Sequence, residues 1–146
     1  MPPEPLPEET MSKRIALAAT LLAVLCAPAQ SATVPSLSGS YLYAGTEFCP
    51  SGTGTNHQTT GTALFDPETG KVKLDIYIVT GDKPTMLHVK STEAYSNTSS
   101  TFKLGADSYK ISYGAVQNGI ATQAAFIGLV QDGETICGFQ GSITLQ

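Results

Sequence analysis

The chain has no tryptophan, only two histidines, and charged residues make up just 14% of it. Its one arginine is Arg14, so nothing from Thr33 onward offers the guanidinium forks that grip phosphates. The lysines past that point, Lys71, Lys73, Lys83, Lys90, Lys103 and Lys110, are outnumbered by Asp and Glu. Nucleic-acid binding and a polybasic membrane patch are therefore both excluded. No segment past Thr33 sustains the three- and four-residue apolar spacing of an amphipathic helix. No apolar run approaches the ~20 residues that a membrane-spanning helix needs.

The longest apolar run, Ile15–Cys26, follows Lys13 and Arg14 and leads into Ala27-Pro28-Ala29 and Ala29-Gln30-Ser31. A positive start, a short apolar stretch and a small-residue exit make a secretory signal peptide over Met11–Ala32, cut between Ala29 and Thr33. Leu25 precedes Cys26 where a lipidated cysteine normally follows a small residue, so the reading is soluble release without stable membrane insertion. Residues 1–10, acidic and proline-rich, are the opposite of a signal's start and read as a mis-assigned start or disordered extension. Residues 33–146 then form a single domain, periplasmic or extracellular, large enough to bury a core.

Removing the signal leaves Cys49 and Cys137, an even pair in an exported chain, which reads as one disulfide. Between them the pattern is a ladder of strands. In Lys71–Ile78 the residues Val72, Leu74, Ile76 and Ile78 share one face, and Lys71, Lys73, Asp75 and Tyr77 share the other. Strict alternation of that kind is a half-buried antiparallel strand. Further strands are expected at Ser40–Cys49, Thr59–Phe65, Met86–Tyr95, Thr101–Leu104, Ser108–Tyr113, Ile120–Val130 and Thr135–Leu145, with turns at Asp66–Gly70, Ser96–Ser99, Gly105–Asp107, Gln117–Gly119 and Gln131–Glu134. Ala124–Val130, apolar on both faces, is expected to be covered on both sides.

About eight strands joined by short turns make an antiparallel meander. Cys49 ends the first strand and Cys137 lies early in the last. A bond between them requires the sheet to close or fold over on itself, because strands in an open sheet stand almost 5 Å apart from neighbour to neighbour. The expected architecture is an all-β up-and-down barrel, with a two-sheet β-sandwich as the alternative.

For a site, the glycine-rich connection Pro50–Gln58 is a candidate cover for the barrel's open end. Within it Thr55, Asn56 and His57 are polar contacts for a ligand, and Tyr41 and Tyr43 share a face of the first strand as possible pocket lining. His57 and His88 have no third ligand at a metal-binding spacing, and no catalytic constellation is legible. No metal or cofactor is expected, and whether the protein is an enzyme is left open.

Ser38-Gly39-Ser40-Tyr41 resembles the opening of a lipocalin-type, calycin-like domain, which implies a barrel shape. Lipocalins carry a tryptophan there and an arginine near the last strand, and residues 33–146 contain neither. Leu37–Tyr41 through Gly45 to Cys49 is also similar to the start of periplasmic metalloprotease inhibitors, small barrels whose free N-terminal segment fills a protease cleft. The function expected is an exported barrel binding module for a small, apolar ligand. The alternative is an extracytoplasmic interaction protein such as a protease inhibitor, acting through Thr33–Leu37.

Overall fold

A computed structural model describes residues 32–50, 54–81 and 86–146, and Thr33–Gln146 forms one compact unit. Residues 1–31, which hold most of the expected signal segment, and parts of the 50–58 and 81–86 connections lie outside the described residues.

Ten strands follow in order: β1 (Gly39–Phe48), β2 (His57–Asp66), β3 (Lys71–Thr80), β4 (Met86–Asn97), β5 (Thr101–Leu104), β6 (Asp107–Tyr113), β7 (Val116–Gln117), β8 (Ile120–Ala121), β9 (Gln123–Asp132) and β10 (Thr135–Leu145). Eight of them close a barrel in the order β1-β10-β9-β6-β5-β4-β3-β2, every pair antiparallel. The expected barrel is present. Closure follows from the ladder between first and last strands, which runs from Tyr41 opposite Leu145 to Phe48 opposite Gly138. Cys49 and Cys137 stand one step beyond and are disulfide-bonded, their Cα atoms 4.4 Å apart. That spacing matches a non-hydrogen-bonded antiparallel pair, for which about 4.5 Å is usual.

Alternation places Tyr41, Tyr43, Gly45 and Glu47 of β1 inside, and Leu42, Ala44, Thr46 and Phe48 outside. Inward aromatic rings lie over inward glycines. A Cβ on Gly45 would sit 2.6 Å from the Tyr43 hydroxyl, and one on Gly128 2.7 Å from Tyr109 Cδ1. On Gly61 it would come 2.7 Å from the Ile76 backbone Cα, so only glycine lets β2 and β3 approach this closely.

The stretch Ile120–Val130 is not one strand. Ile120 and Ala121 pair with Gln117 and Val116 across an Asn118-Gly119 turn, both residues with positive φ, as a two-residue hairpin of the primed type requires. At Thr122 the chain turns into the barrel. Its amide donates to the Ala115 carbonyl, its hydroxyl does the same, and its own carbonyl accepts from Leu145. Coverage of β9 on both faces also fails. Ala124 and Phe126 are buried, but Ile127 and Leu129 point outward and are 60% and 67% exposed. Among the described residues nothing is packed over them.

Candidate functional site

The barrel has a floor and a mouth. Glu47 lies six steps along β1 from Tyr41, roughly 20 Å at a strand's ~3.3 Å rise. The floor is closed by the chain that precedes β1. Ser36 bridges to Ile120, its amide donating to the Gly119 carbonyl and its carbonyl accepting from Ala121. Leu37 is fully buried beneath the core. Tyr95 donates to the Leu37 carbonyl at 2.8 Å, Asn97 Nδ2 to that of Pro35 at 2.9 Å, and Tyr41 to that of Ala121 at 2.7 Å. The segment on which an inhibitor reading rests is thus fastened at Ser36 and Leu37, leaving Val34 exposed ahead of them.

Above the floor the interior holds a cavity of about 200 Å³. The wall beside it is low on one side. β4 pairs with β5 only over Tyr95, Ser96 and Asn97, and β6 meets β9 no further up than Tyr109 opposite Gly128. The cavity is lined by the rings of Tyr43, Phe65, Phe102, Tyr109, Phe126 and Phe139. Aliphatic side chains such as Leu74, Ile76 and Val130 fill the remainder, and among the described residues Glu47 is the one charged side chain in the lining. Tyr109 and Phe139 have ring centroids 5.3 Å apart, and Phe102 and Phe126 4.7 Å.

Larger hollows, of about 790 and 720 Å³, lie on the outer wall around Gln140, Ser142 and Ala125 and around Phe48, Ile127 and Leu129. They are open to solvent along the barrel's outside. The interior hollow is smaller, but it is enclosed largely by apolar groups, as small-molecule pockets generally are.

At the mouth Glu47 stands opposite His57 on one side and Phe139 on the other. Thr59 donates to the Tyr43 hydroxyl at 3.0 Å, and His57 Nδ1 and Thr80 Oγ1 are hydrogen-bonded at 3.3 Å. Burial pushes the Tyr43 phenol above its ordinary pKa, with the Thr59 bond opposing and the Glu47 charge adding. Burial also raises Tyr109 strongly, and Asp107, Tyr43 and Glu47 add to it. Both phenols stay protonated at neutral pH and remain hydrogen-bond donors. Glu47, Cys49 and Cys137 bring their ligand atoms within 4.8 Å of one another, but the disulfide takes both thiolates away from any cation.

Of the residues singled out in the sequence, Tyr43 lines the cavity and His57 sits half-buried at its rim as the first residue of β2. Tyr41 lies at the floor with its hydroxyl committed to Ala121. Thr55 and Asn56 are exposed. Asn56 fastens the connection, its Oδ1 accepting from the Cys49 amide and its carbonyl from Gly81. Sequence reasoning missed Glu47, although the signal was there: it is the one charged residue at the alternate positions 41, 43, 45 and 47.

It also missed a group on the outer wall. His88 Nε2 lies 2.6 Å from Asp75 Oδ1, Lys90 Nζ lies 3.1 Å from Oδ2, and Tyr77 stacks on His88 at 4.4 Å. His88 and Lys90 hold the Asp75 carboxyl below its ordinary pKa. These are cross-strand neighbours of β3 and β4, with Asp75 and His88 about two-fifths exposed, and they tie two strands together.

The fold and cavity define a small closed antiparallel β-barrel with an aromatic interior. Comparison with protein-family models, with curated proteins and with solved structures found no match to the chain. Among the described residues no helix is long and apolar enough to cross a membrane. The disulfide fits an oxidising compartment.

Proposed function

We propose that the protein is an exported binding module that holds a small, largely apolar ligand inside its barrel. The observation that carries this reading is the aromatic cavity of about 200 Å³ above a sealed floor. For scale, an apolar cavity of ~150 Å³ accepts benzene, while drug-sized ligands occupy ~300 Å³ or more. The occupant is therefore a single ring or a short chain. Export is supported by the disulfide together with the signal-like Met11–Ala32.

The test is NMR titration of the oxidised protein with toluene. Val72, Leu74 and Val130 methyl signals are expected to shift in a saturable way, and Ile76→Trp, which fills the cavity, is expected to abolish the response. Shifts confined to outer-wall Ile127 and Leu129, or no saturable shifts at all, would overturn the proposal.

A further inference from the structure

We propose that the open edge of β4 takes up an extended peptide as an added strand, its apolar side chains turned into the cavity and its acidic ones outward. Strand addition stands on the edge itself. Only the entry of side chains rests on the cavity being a ligand site.

The edge exists because one hairpin is short. β5 and β6 stand between β4 and β9, and the hairpin they form turns after Leu104. β4 pairs with β3 from Met86 to Ala94, but with β5 only at Tyr95, Ser96 and Asn97. Strand residues send their amides and carbonyls alternately to one side and the other. The Tyr95 amide donates to the Gly70 carbonyl on the β3 side, and the Ala94 carbonyl accepts from Gly105 at the hairpin turn. By the same alternation Met86, His88, Lys90 and Thr92 turn their backbone groups away from β3. Among the described residues nothing pairs with those groups. A row of unpaired donors and acceptors at ladder spacing is a template for another strand.

What borders the edge sets the chemistry of the peptide. Side chains of an added strand alternate between the interior and the outer wall. On the inner side Ile76, Leu104, Tyr109 and Val130 belong to the cavity lining, and inward-facing Leu87 is 57% exposed. Apolar side chains fit there. On the outer faces of β4, β5 and β6 the Lys, Asp and Glu positions are Lys90, Lys103 and Lys110, all lysine. Lys90 also pairs with Asp75 of β3, which leaves the outer faces beside the edge positive. Acidic side chains on the peptide meet these lysines. A second copy pairing through its own β4 would set lysine against lysine instead, the arrangement by which charged edges discourage self-pairing.

The probe is an acetylated, amidated hexapeptide of alternating valine and glutamate, titrated into the oxidised protein at pH 7 by NMR and calorimetry. Saturable binding is expected, with the His88, Lys90 and Thr92 amides shifting and exchanging with solvent at least tenfold more slowly. N-methylated probes test the ladder without altering the protein. Methyls on the amides of one residue type, valine or glutamate, are expected to weaken binding at least tenfold, and methyls on the other less than threefold. Lys90→Pro, with its fold checked by circular dichroism, removes an N–H that faces the open side and spares the β3 ladder. It is expected to weaken binding at least tenfold, and Lys90→Gln, which loses only an exposed charge, less than fivefold. Four results would overturn strand addition: no saturable binding, unmoved edge amides, equal effects of the two methylated probes, or Lys90→Pro binding as tightly as Lys90→Gln. A saturable toluene response beside any of them leaves the cavity as a ligand site. Ile76→Trp is expected to weaken the probe at least tenfold. Undiminished binding there would overturn entry of valine into the cavity and leave the added strand standing.

Discussion

At the floor of the barrel Tyr41, Tyr95 and Tyr113 each donate to a backbone carbonyl, of Ala121, Leu37 and Thr98 respectively. At the mouth Tyr43 accepts from a threonine hydroxyl and turns its ring to a cavity, beside a carboxylate. The residue type is the same, and so is the alternation that points it inward. What differs is whether the polar tip has a fixed backbone partner. The floor uses tyrosine to bind the chain to itself, which stabilises the fold. The mouth keeps polar tips within reach of the interior, which suits a ligand. Stability and binding should therefore separate by depth along the barrel.

The strongest test of that separation is Leu37→Ala. Leu37 is fully buried among floor residues, and truncating a buried leucine costs about 2–5 kcal/mol in lost contacts and residual cavity. Urea denaturation is expected to show a loss in that range, with ligand affinity in the cavity unchanged within twofold. A loss under about 1 kcal/mol would mean that the segment before β1 only rests on the barrel.

A matched pair of tyrosine substitutions sharpens the contrast. Tyr41→Phe leaves the buried Ala121 carbonyl without its donor, a cost of about 1–3 kcal/mol. Tyr43→Phe removes an acceptor from Thr59, whose hydroxyl can turn elsewhere, and is expected to cost less than about 1 kcal/mol. Equal losses in thermal or urea unfolding would erase the difference between the two ends.

How much of this was legible beforehand depends on which kind of signal each feature leaves. Period-two alternation is local, so Val72, Leu74 and Ile76 announced β3 and its inward face without help from the rest of the chain. The disulfide and closure followed from two cysteines at the ends of a meander. The corner at Thr122 was not legible, because Ile120 and Ala121 continue the apolar pattern of β9 while their backbone partners are Val116 and Gln117. The fate of Tyr41 was also hidden. Its parity put it on one face, but its commitment to Ala121 comes from a residue separated from it by 80 positions. Glu47 was legible by parity alone, as a charge among inward positions. Its place beside Phe139 was not, because the β1–β10 ladder sets that pairing.

The smallest expected effect belongs to acid. Asp66, in the β2–β3 turn at the floor end, accepts from the Glu68 and Thr69 amides at 3.0 and 3.3 Å. Hydrogen bonding from Thr69, opposed by desolvation and aided by the Glu68 amide and Lys73, holds its carboxyl below the ordinary aspartate value of 3.8. A carboxyl whose folded pKa is depressed contributes stability above its unfolded pKa and loses it as pH falls through the folded value. The turn at Asp66 is therefore expected to loosen only below about pH 4. In an NMR titration the Glu68 and Thr69 amides should move together, with a midpoint below 3.8. Asp66→Asn keeps an acceptor oxygen for the same amides and should remove that inflection while leaving the turn formed at neutral pH. A midpoint at or above 3.8 would mean that these amides do not favour the charged carboxylate.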